Sequence, residues 1–343
     1  MKDNKKIRVA INGFGRIGRA AFKIGFEKAE IEFVAINDPG GSQVAASLLQ
    51  YDTVYRRYAR KVEFDEKSII VDGQAIPVLS EKDPGLLPWR KMNVDVVIES
   101  TGRFTKDGAA AAHIKAGAKR VVISAPAKGG NVKTYVFGAN TDKYGQEQVI
   151  SNASCTTNCI SPVINVLHTA FGVAKAFMNT VHSYTAEQNL VDGTPPGGHA
   201  EDLRRARAAA QNIVPTTTGA AIATTEAIPE LHGAFDGIAI RVPTPAGSLA
   251  NITALLKRPA TLAEVNQAFV EASQNPFYKG VLEVSEAPIV SSDIIGSSAS
   301  AIVDLPFTRV VGGDLVSVLA WYDNEWGYSH RLVEEAILVG QSV

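Results

Sequence analysis

A glycine turn close to the N-terminus constrains the fold more than any other stretch. Ile7-Arg-Val-Ala-Ile11 is a short apolar run, Asn12-Gly13-Phe14-Gly15-Arg16-Ile17-Gly18-Arg19 follows it, and apolar residues at helical spacing continue to about Phe26. The order is strand, glycine turn, helix. In such a turn the first glycine bends the chain, the second lets backbone come close to a pyrophosphate, and the third lets the helix pack on the strand. A plain βαβ core unit can carry the same triplet. Here, however, a second strand over 31–36 ends at Asn37-Asp38, at about the twenty-residue offset where an acidic side chain receives ribose hydroxyls. Gly13, Gly15, Gly18 and Asp38 are therefore expected to hold a dinucleotide. A carboxylate repels a 2′-phosphate and no arginine follows until Arg56, so NAD is expected rather than NADP.

Strand-like runs continue at 62–64, 68–71 and 76–79, with Asp72-Gly73 as a hairpin turn. Further strands are expected over 94–99, 120–124, 132–137 and 148–150, with a helix over 106–116. Ser124 ends one of these strands, where doubly wound sheets carry ligand contacts, and it reads either as a cofactor contact or as an ordinary terminating hydroxyl.

Ser151-Asn-Ala-Ser154-Cys155-Thr-Thr-Asn-Cys159 reads as a strand end, a tight turn and a helix start. Ser154 suits an N-cap, and Ile160, Val163, Ile164, Val166 and Leu167 have helical spacing. A thiol at the positive end of a helix is favoured as thiolate, and the N–H groups there can hold an oxyanion. Cys155 is thus a candidate nucleophile, with a buried structural cysteine as the other reading. Pro162 inside this helix predicts a kink or a short first segment.

The next strand, over 174–181, leads into His182-Ser-Tyr-Thr185. An imidazole can serve as base to a thiol, so His182 is the candidate, although one of six histidines can equally be structural. As imidazolium it would help hold the thiolate. Asp202-Leu-Arg204-Arg205-Ala-Arg207 reads as a set of solvated ion pairs or as forks for phosphate. Thr216-Thr217-Thr218-Gly219 is either a phosphate turn or a helix cap. Residues 237–243 and 249–257 read as neighbouring antiparallel strands, with Arg241 a second phosphate candidate. A helix over 261–273 and strands over 281–284, 300–305 and 315–320 follow, and Trp321-Tyr-Asp-Asn324-Glu-Trp-Gly-Tyr328 opens a last amphipathic helix to about 338.

With 343 residues, 45% of them hydrophobic, the chain is long for one simple domain, and two are expected. The fold class read from the pattern is α/β. A Rossmann-type doubly wound dinucleotide-binding domain over 1–154 precedes an α+β catalytic domain with a mixed, antiparallel-rich sheet over 155–323. A net charge of −1 offers no global attraction to nucleic acid or an anionic membrane, and no basic stripe with interleaved aromatics occurs. Two cysteines four positions apart are not a disulfide framework and fit a reducing cytosol. No apolar leader follows Met1-Lys-Asp-Asn-Lys-Lys6 and no run reaches bilayer length, so a soluble, cytoplasmic protein without metal is expected.

Taken together, the glycine motif, Asn37-Asp38, the Ser-Cys-Thr-Thr-Asn-Cys run, His182–Thr185, Asp202–Arg207 and the Trp321–Tyr328 block resemble the phosphorylating glyceraldehyde-3-phosphate dehydrogenases over nearly the whole chain. The resemblance implies that Cys155 is the nucleophile and His182 its base. It also implies that Ser154, Thr156, Thr185, Arg205, Thr218, Gly219 and Arg241 bind substrate or inorganic phosphate. Arg16, Ile17, Asp38, Ser124, Asn324 and, in its loop, Lys82 would contact NAD. It further implies a glycolytic reaction through a Cys155 hemithioacetal and thioester, a homotetramer, and a last helix over 324–343 packed back on the first domain. Two departures stand out: Ile222 occupies the place of a usual Lys, and the loop over 193–201 is long and rich in Gly and Pro. In relatives that loop reaches the neighbouring subunit's adenosine site. The alternatives are erythrose-4-phosphate dehydrogenases, which end in water attack, and a role in holding RNA in the dinucleotide cleft. NADP-linked semialdehyde dehydrogenases are disfavoured by Asp38 and the paired arginine regions.

Overall fold

The computed structural model describes residues 5–194 and 202–343, so residues 195–201 of the long Gly/Pro loop lie outside the described residues. The chain forms two compact units, one made of Met1–Tyr135, Lys143–Ala153 and Ser329–Val343, the other of Val136–Asp142 and Ser154–Tyr328.

In the first unit the elements run β1 (Ile7–Asn12), α1 (Arg16–Phe26), β2 (Ile31–Asn37), α2 (Gly41–Gln50), a small hairpin of β3 (Tyr51–Asp52) and β4 (Arg56–Arg57), then β5 (Val62–Phe64), β6 (Ser68–Val71) and β7 (Gln74–Leu79). After these come β8 (Val96–Glu99), α3 (Ala112–Lys115), β9 (Arg120–Ile123), β10 (Lys133–Thr134) and β11 (Val149–Ser151). Among the described residues the sheet order is β10-β11-β9-β8-β1-β2-β7-β6-β5, parallel except for the β5–β7 meander. Chain order reverses between β1 and β8, the switch point at which open α/β sheets bind ligands. Val9, Ala10, Ile11, Val96, Val97 and Ile98 are buried to completion, as central strands covered on both faces require. Asp72 and Gly73 both take positive φ, +48° and +84°, in keeping with the two-residue hairpin turn.

The helix expected over 106–116 is shorter. Lys106 is held extended by a bridge to Lys128 and Gly108 turns left-handed at φ +72°, so only a single 3₁₀ turn and the four residues of α3 remain.

The glycine turn is tightly specified. Gly13 has φ +93°, and a Cβ there would stand 2.7 Å from the Thr101 nitrogen. A Cβ on Gly18 would lie 2.1 Å from the Gly13 carbonyl oxygen, so the third glycine is what lets α1 seat against the turn. Beneath it lies a buried polar network. Glu99 accepts from the Asn12 amide at 2.6 Å, from the Thr101 N–H at 2.9 Å and from His113 Nε2 at 3.0 Å. Trp89 donates to His113 Nδ1 at 2.9 Å, which assigns the ring proton to Nε2 and satisfies both nitrogens. The final residues complete this unit: Gly340 comes so close to Ile7 that a Cβ would lie 2.5 Å from its Cγ2, and Arg120 donates to the Ser342 hydroxyl at 3.3 Å.

The second unit contains α4 (Cys155–Phe171), β12 (Val173–Ser183), β13 (Val214–Thr217), α5 (Ala220–Ala227), β14 (Phe235–Val242), β15 (Ser248–Leu256) and α6 (Leu262–Gln274). It continues with β16 (Leu282–Ser285), β17 (Ala301–Asp304), β18 (Arg309–Val311), β19 (Leu315–Tyr322) and the start of α7 (Trp326–Gly340). The mixed sheet has the order β13-β14-β12-β15-β19-β17-β16, with β18 on β19. Two expectations need correction. β14 and β15 are not neighbours: β12 lies between them, parallel to β14 and antiparallel to β15. The 243–247 link crosses the end of β12, where Ser183 and Thr244 hydroxyls meet at 2.9 Å. Secondly, α4 is continuous from Cys155 to Phe171, so no short first segment ends at Pro162. Its middle is wholly buried, so packing offsets the one backbone donor that proline lacks.

Candidate active site

The chain reaches Cys155 from β11 through Ala153, a non-glycine residue at φ +53°. Ser154 then takes extended geometry and its hydroxyl accepts the Thr157 N–H at 3.0 Å, so α4 begins at Cys155. The thiol is half-buried at the helix start, and the backbone N–H groups of Cys155 and Thr156 face its sulfur.

His182 comes from β12, whose register sets it beside Arg241 of β14. Its Nε2 lies 3.4 Å from Cys155 Sγ. Nδ1 lies 2.6 Å from the Ser183 carbonyl, which can only accept, so Nδ1 carries the proton and Nε2 presents a lone pair to the sulfur. Tyr322 packs edge-on against the imidazole at 5.9 Å between centroids, and its hydroxyl meets Thr180 at 2.7 Å and Thr156 at 2.9 Å. The Thr156 hydroxyl is thus engaged with Tyr322, and the Thr156 side chain also reaches the Cys155 sulfur.

Burial pushes the Cys155 thiol up to about 11, against the pull of the Arg241 guanidinium and of Thr156. Burial also pushes His182 down to about 3, and Arg241 adds to that depression. Each group alone is neutral at pH 7: the helix-start N–H groups favour the thiolate, and burial outweighs them. Moving the proton from Sγ to Nε2 leaves the net charge unchanged, so the pair can ionise together without stranding a single buried charge.

Arg241 donates to the Ser183 carbonyl and to the Thr185 hydroxyl, both at 3.1 Å. Arg205 is buried, with Nε on Asp202 and on Thr216, each at 3.1 Å, and Nη1 on Glu187 at 2.7 Å. Asp202 also accepts from Thr216. Of the two readings of the 202–207 cluster, ion pairing is what the structure displays, and Arg207 likewise pairs with Asp192 at 2.8 Å. Thr218 accepts the Ala220 N–H at 3.2 Å and Gly219 caps α5, where Ile222 is 60% exposed. Asn324 is buried, its carbonyl oxygen accepting from Gly247 N–H at 3.1 Å and from the Ser248 hydroxyl at 2.9 Å.

In the first unit, Gly15 is exposed, nothing lies within 4 Å of where its Cβ would be, and no side chain caps α1. The open space and the uncapped N–H groups fit a pyrophosphate. Asp38 accepts from Phe14 N–H at 2.8 Å and Gly40 N–H at 2.9 Å. Arg16 pairs with Asp52 at 2.6 Å, Ile17 and Ser124 are half-buried, and Lys82 is exposed in its loop. Sequence reading passed over Glu187, Thr180 and Tyr322. Tyr322 stands in the aromatic block over 321–328, but no local pattern announces which threonines it will meet.

Residues 7–107 match the family profile "Glyceraldehyde 3-phosphate dehydrogenase, NAD binding domain", and residues 154–324 match "Glyceraldehyde 3-phosphate dehydrogenase, C-terminal domain". The chain belongs to the glyceraldehyde 3-phosphate dehydrogenase family. A glyceraldehyde-3-phosphate dehydrogenase of Streptomyces coelicolor is 51% identical over 340 residues, 98% of this chain and 99% of that one. One from Geobacillus stearothermophilus is 48% identical over 97% of this chain and 98% of its own length. The chloroplastic glyceraldehyde-3-phosphate dehydrogenase A of Chlamydomonas reinhardtii is 48% identical over 98% and 89% respectively. As a glyceraldehyde 3-phosphate dehydrogenase family member, the chain is an NAD-dependent oxidoreductase acting on an aldehyde. Among the described residues no helix is long and apolar enough to cross a membrane.

Proposed function

We propose that this chain oxidises glyceraldehyde 3-phosphate with inorganic phosphate to 1,3-bisphosphoglycerate, a glycolytic step, with Cys155 as nucleophile and His182 as base. The observation that carries this reading is the 3.4 Å approach of Cys155 Sγ to an Nε2 whose lone pair is aimed by the Ser183 carbonyl. Sγ passes its proton to Nε2 and attacks the aldehyde carbon, and the N–H groups of Cys155 and Thr156 hold the oxygen that gains charge. NAD, when bound, supplies the hydride acceptor, and Gly13, Gly15, Arg16, Ile17, Gly18, Asp38, Lys82, Ser124 and Asn324 are the residues we assign to holding it. His182 Nε2 returns that proton to the oxygen, which gives the hemithioacetal hydroxyl, and takes it back as the thioester forms. Inorganic phosphate then attacks the thioester carbon, the carbon–sulfur bond breaks, and Cys155 is released with the acyl phosphate as product. Two anion pockets are needed, and Arg205 with Thr218 and Gly219, and Arg241 with Thr185, Ser154 and the Thr156 backbone, are assigned to them.

We divide these tasks between a dinucleotide domain over 1–154, with the helix over 324–343, and a catalytic domain over 155–323. A homotetramer is supported by the outer face of the second unit's sheet, where Phe177, Val181, Ile238 and Leu255 are all exposed. A cytoplasmic location is supported by two unpaired thiols. The deciding assay is NADH formation from glyceraldehyde 3-phosphate with and without inorganic phosphate, repeated with NADP. Phosphate-dependent NADH formation is expected, with little activity on NADP. Turnover that ignores phosphate would point to water attack, and equal use of NADP would undo the role given to Asp38.

A further inference from the structure

We propose that the Glu187 carboxylate is an internal stand-in for phosphate, occupying the arginine pair until a phosphate dianion displaces it and so setting how tightly phosphate is held. This rests on reading Arg205 and Arg241 as the arginines of the two anion pockets, which adjoin where Glu187 faces both. One oxygen of Glu187 faces both guanidiniums, 2.7 Å from Arg205 Nη1 and 3.8 Å from Arg241 Nη2. The other donors of the two arginines are largely committed to the protein. Arg205 spends Nε on Asp202 and Thr216 and turns Nη2 to the Thr217 carbonyl, while Arg241 spends Nη1 on Ser183 and Thr185. The edges that Glu187 faces are thus the ones left for a ligand. Arg241 Nε, buried and without a partner among the described residues, adds a further waiting donor.

Charge makes the two occupants exclusive. Two arginines face two carboxylates, Glu187 and Asp202, so the cluster exerts no net attraction on an anion while both acids stay in place. A dianion brought against the same guanidinium edges meets a carboxylate at hydrogen-bond range, and one of the two must leave. Asp202 is anchored by Thr216 and the Arg204 N–H. Glu187 is the more exposed of the two acids, its side chain 45% exposed against 25% for Asp202, and is the one a ligand from solvent meets. The same displacement releases positive charge beside Cys155, whose thiol already feels Arg241.

The test uses the full-length enzyme and its Glu187→Gln variant. Calorimetry measures inorganic phosphate binding, and alkylation of Cys155 is timed with iodoacetate and with neutral iodoacetamide. Glu187→Gln is expected to bind phosphate on the order of tenfold more tightly, the scale of one charged contact at a partly exposed site. The iodoacetate to iodoacetamide rate ratio should rise several-fold, and the iodoacetamide rate itself should not fall. Glu187→Ala repeats the measurement should the first variant not fold. Unchanged or weaker phosphate binding, in a variant whose Cys155 still reacts with iodoacetamide at least as fast as the native enzyme, overturns the proposal and leaves the anion site standing. Failure of the unsubstituted enzyme to bind phosphate at all sinks the anion site and the proposal together.

Discussion

The two ring nitrogens of His182 have separate tasks. Nδ1 is tied to the Ser183 carbonyl, and Nε2 is thereby left as an acceptor 3.4 Å from Cys155 Sγ. Burial raises the thiol to about 11 and lowers the imidazole to about 3, so the thiolate depends on a partner that can take its proton. His182→Asn should therefore slow iodoacetamide alkylation at pH 7 and move its pH midpoint up, towards about 11. The loss in kcat should be roughly 10² to 10⁴, the usual range for a general base. An unshifted alkylation profile would show that the sulfur ionises without the ring. Cys155→Ser should abolish aldehyde oxidation and leave NAD binding intact by fluorescence titration; near-native turnover would exclude covalent catalysis. Both residues were visible in the sequence as candidates. The tautomer was not, because it depends on a carbonyl whose direction only the folded strand end sets.

Among the elements, the glycine turn separates a ligand glycine from a packing glycine. Nothing lies within 4 Å of a Cβ on Gly15, whereas one on Gly18 meets the Gly13 carbonyl at 2.1 Å. Gly15→Ala should leave stability within about 0.5 kcal/mol yet weaken NAD binding, because the methyl enters the space left for the pyrophosphate. Gly18→Ala should destabilise by about 1–3 kcal/mol, since α1 must shift off the turn. Denaturant titrations and NAD affinities of the two variants check the contrast; equal stability losses would contradict it. The motif spacing made this turn legible, because one strand, one turn and one helix are local. The order β14-β12-β15 was not, because strand pairing is decided by cross-strand contacts between residues distant in sequence.

For the molecule as a whole, Glu335 is a buried acid within the first unit. Its side chain is fully enclosed, Oε2 has no partner among the described residues, and the Asn152 amide is placed to donate to Oε1 at 3.1 Å. Burial holds its carboxyl well above the usual carboxylate range. The folded chain then binds a proton that the unfolded chain releases, so stability falls as pH rises from the unfolded carboxylate value of about 4.3 towards the folded one. Glu335→Gln should raise the melting temperature at pH 7–8, with the gain shrinking below about pH 4 where both states are protonated. A gain independent of pH would mean that the acid titrates alike in the folded and unfolded chain. Phe177→Asp and Ile238→Asp on the exposed sheet face should lower the mass seen by light scattering, and a monomeric parent enzyme would remove the basis for a homotetramer. Period, spacing and residue type in the sequence determined the α/β class, the dinucleotide turn and the thiol at a helix start, because each depends on neighbours within one or two elements. Only tertiary structure decided that His182 and Arg241 share a register position, that Tyr322 claims the Thr156 hydroxyl, and that Glu187 stands across both arginines. Those facts are distances and charges between separate strands and loops, which exist only once the sheet has closed the gaps between them.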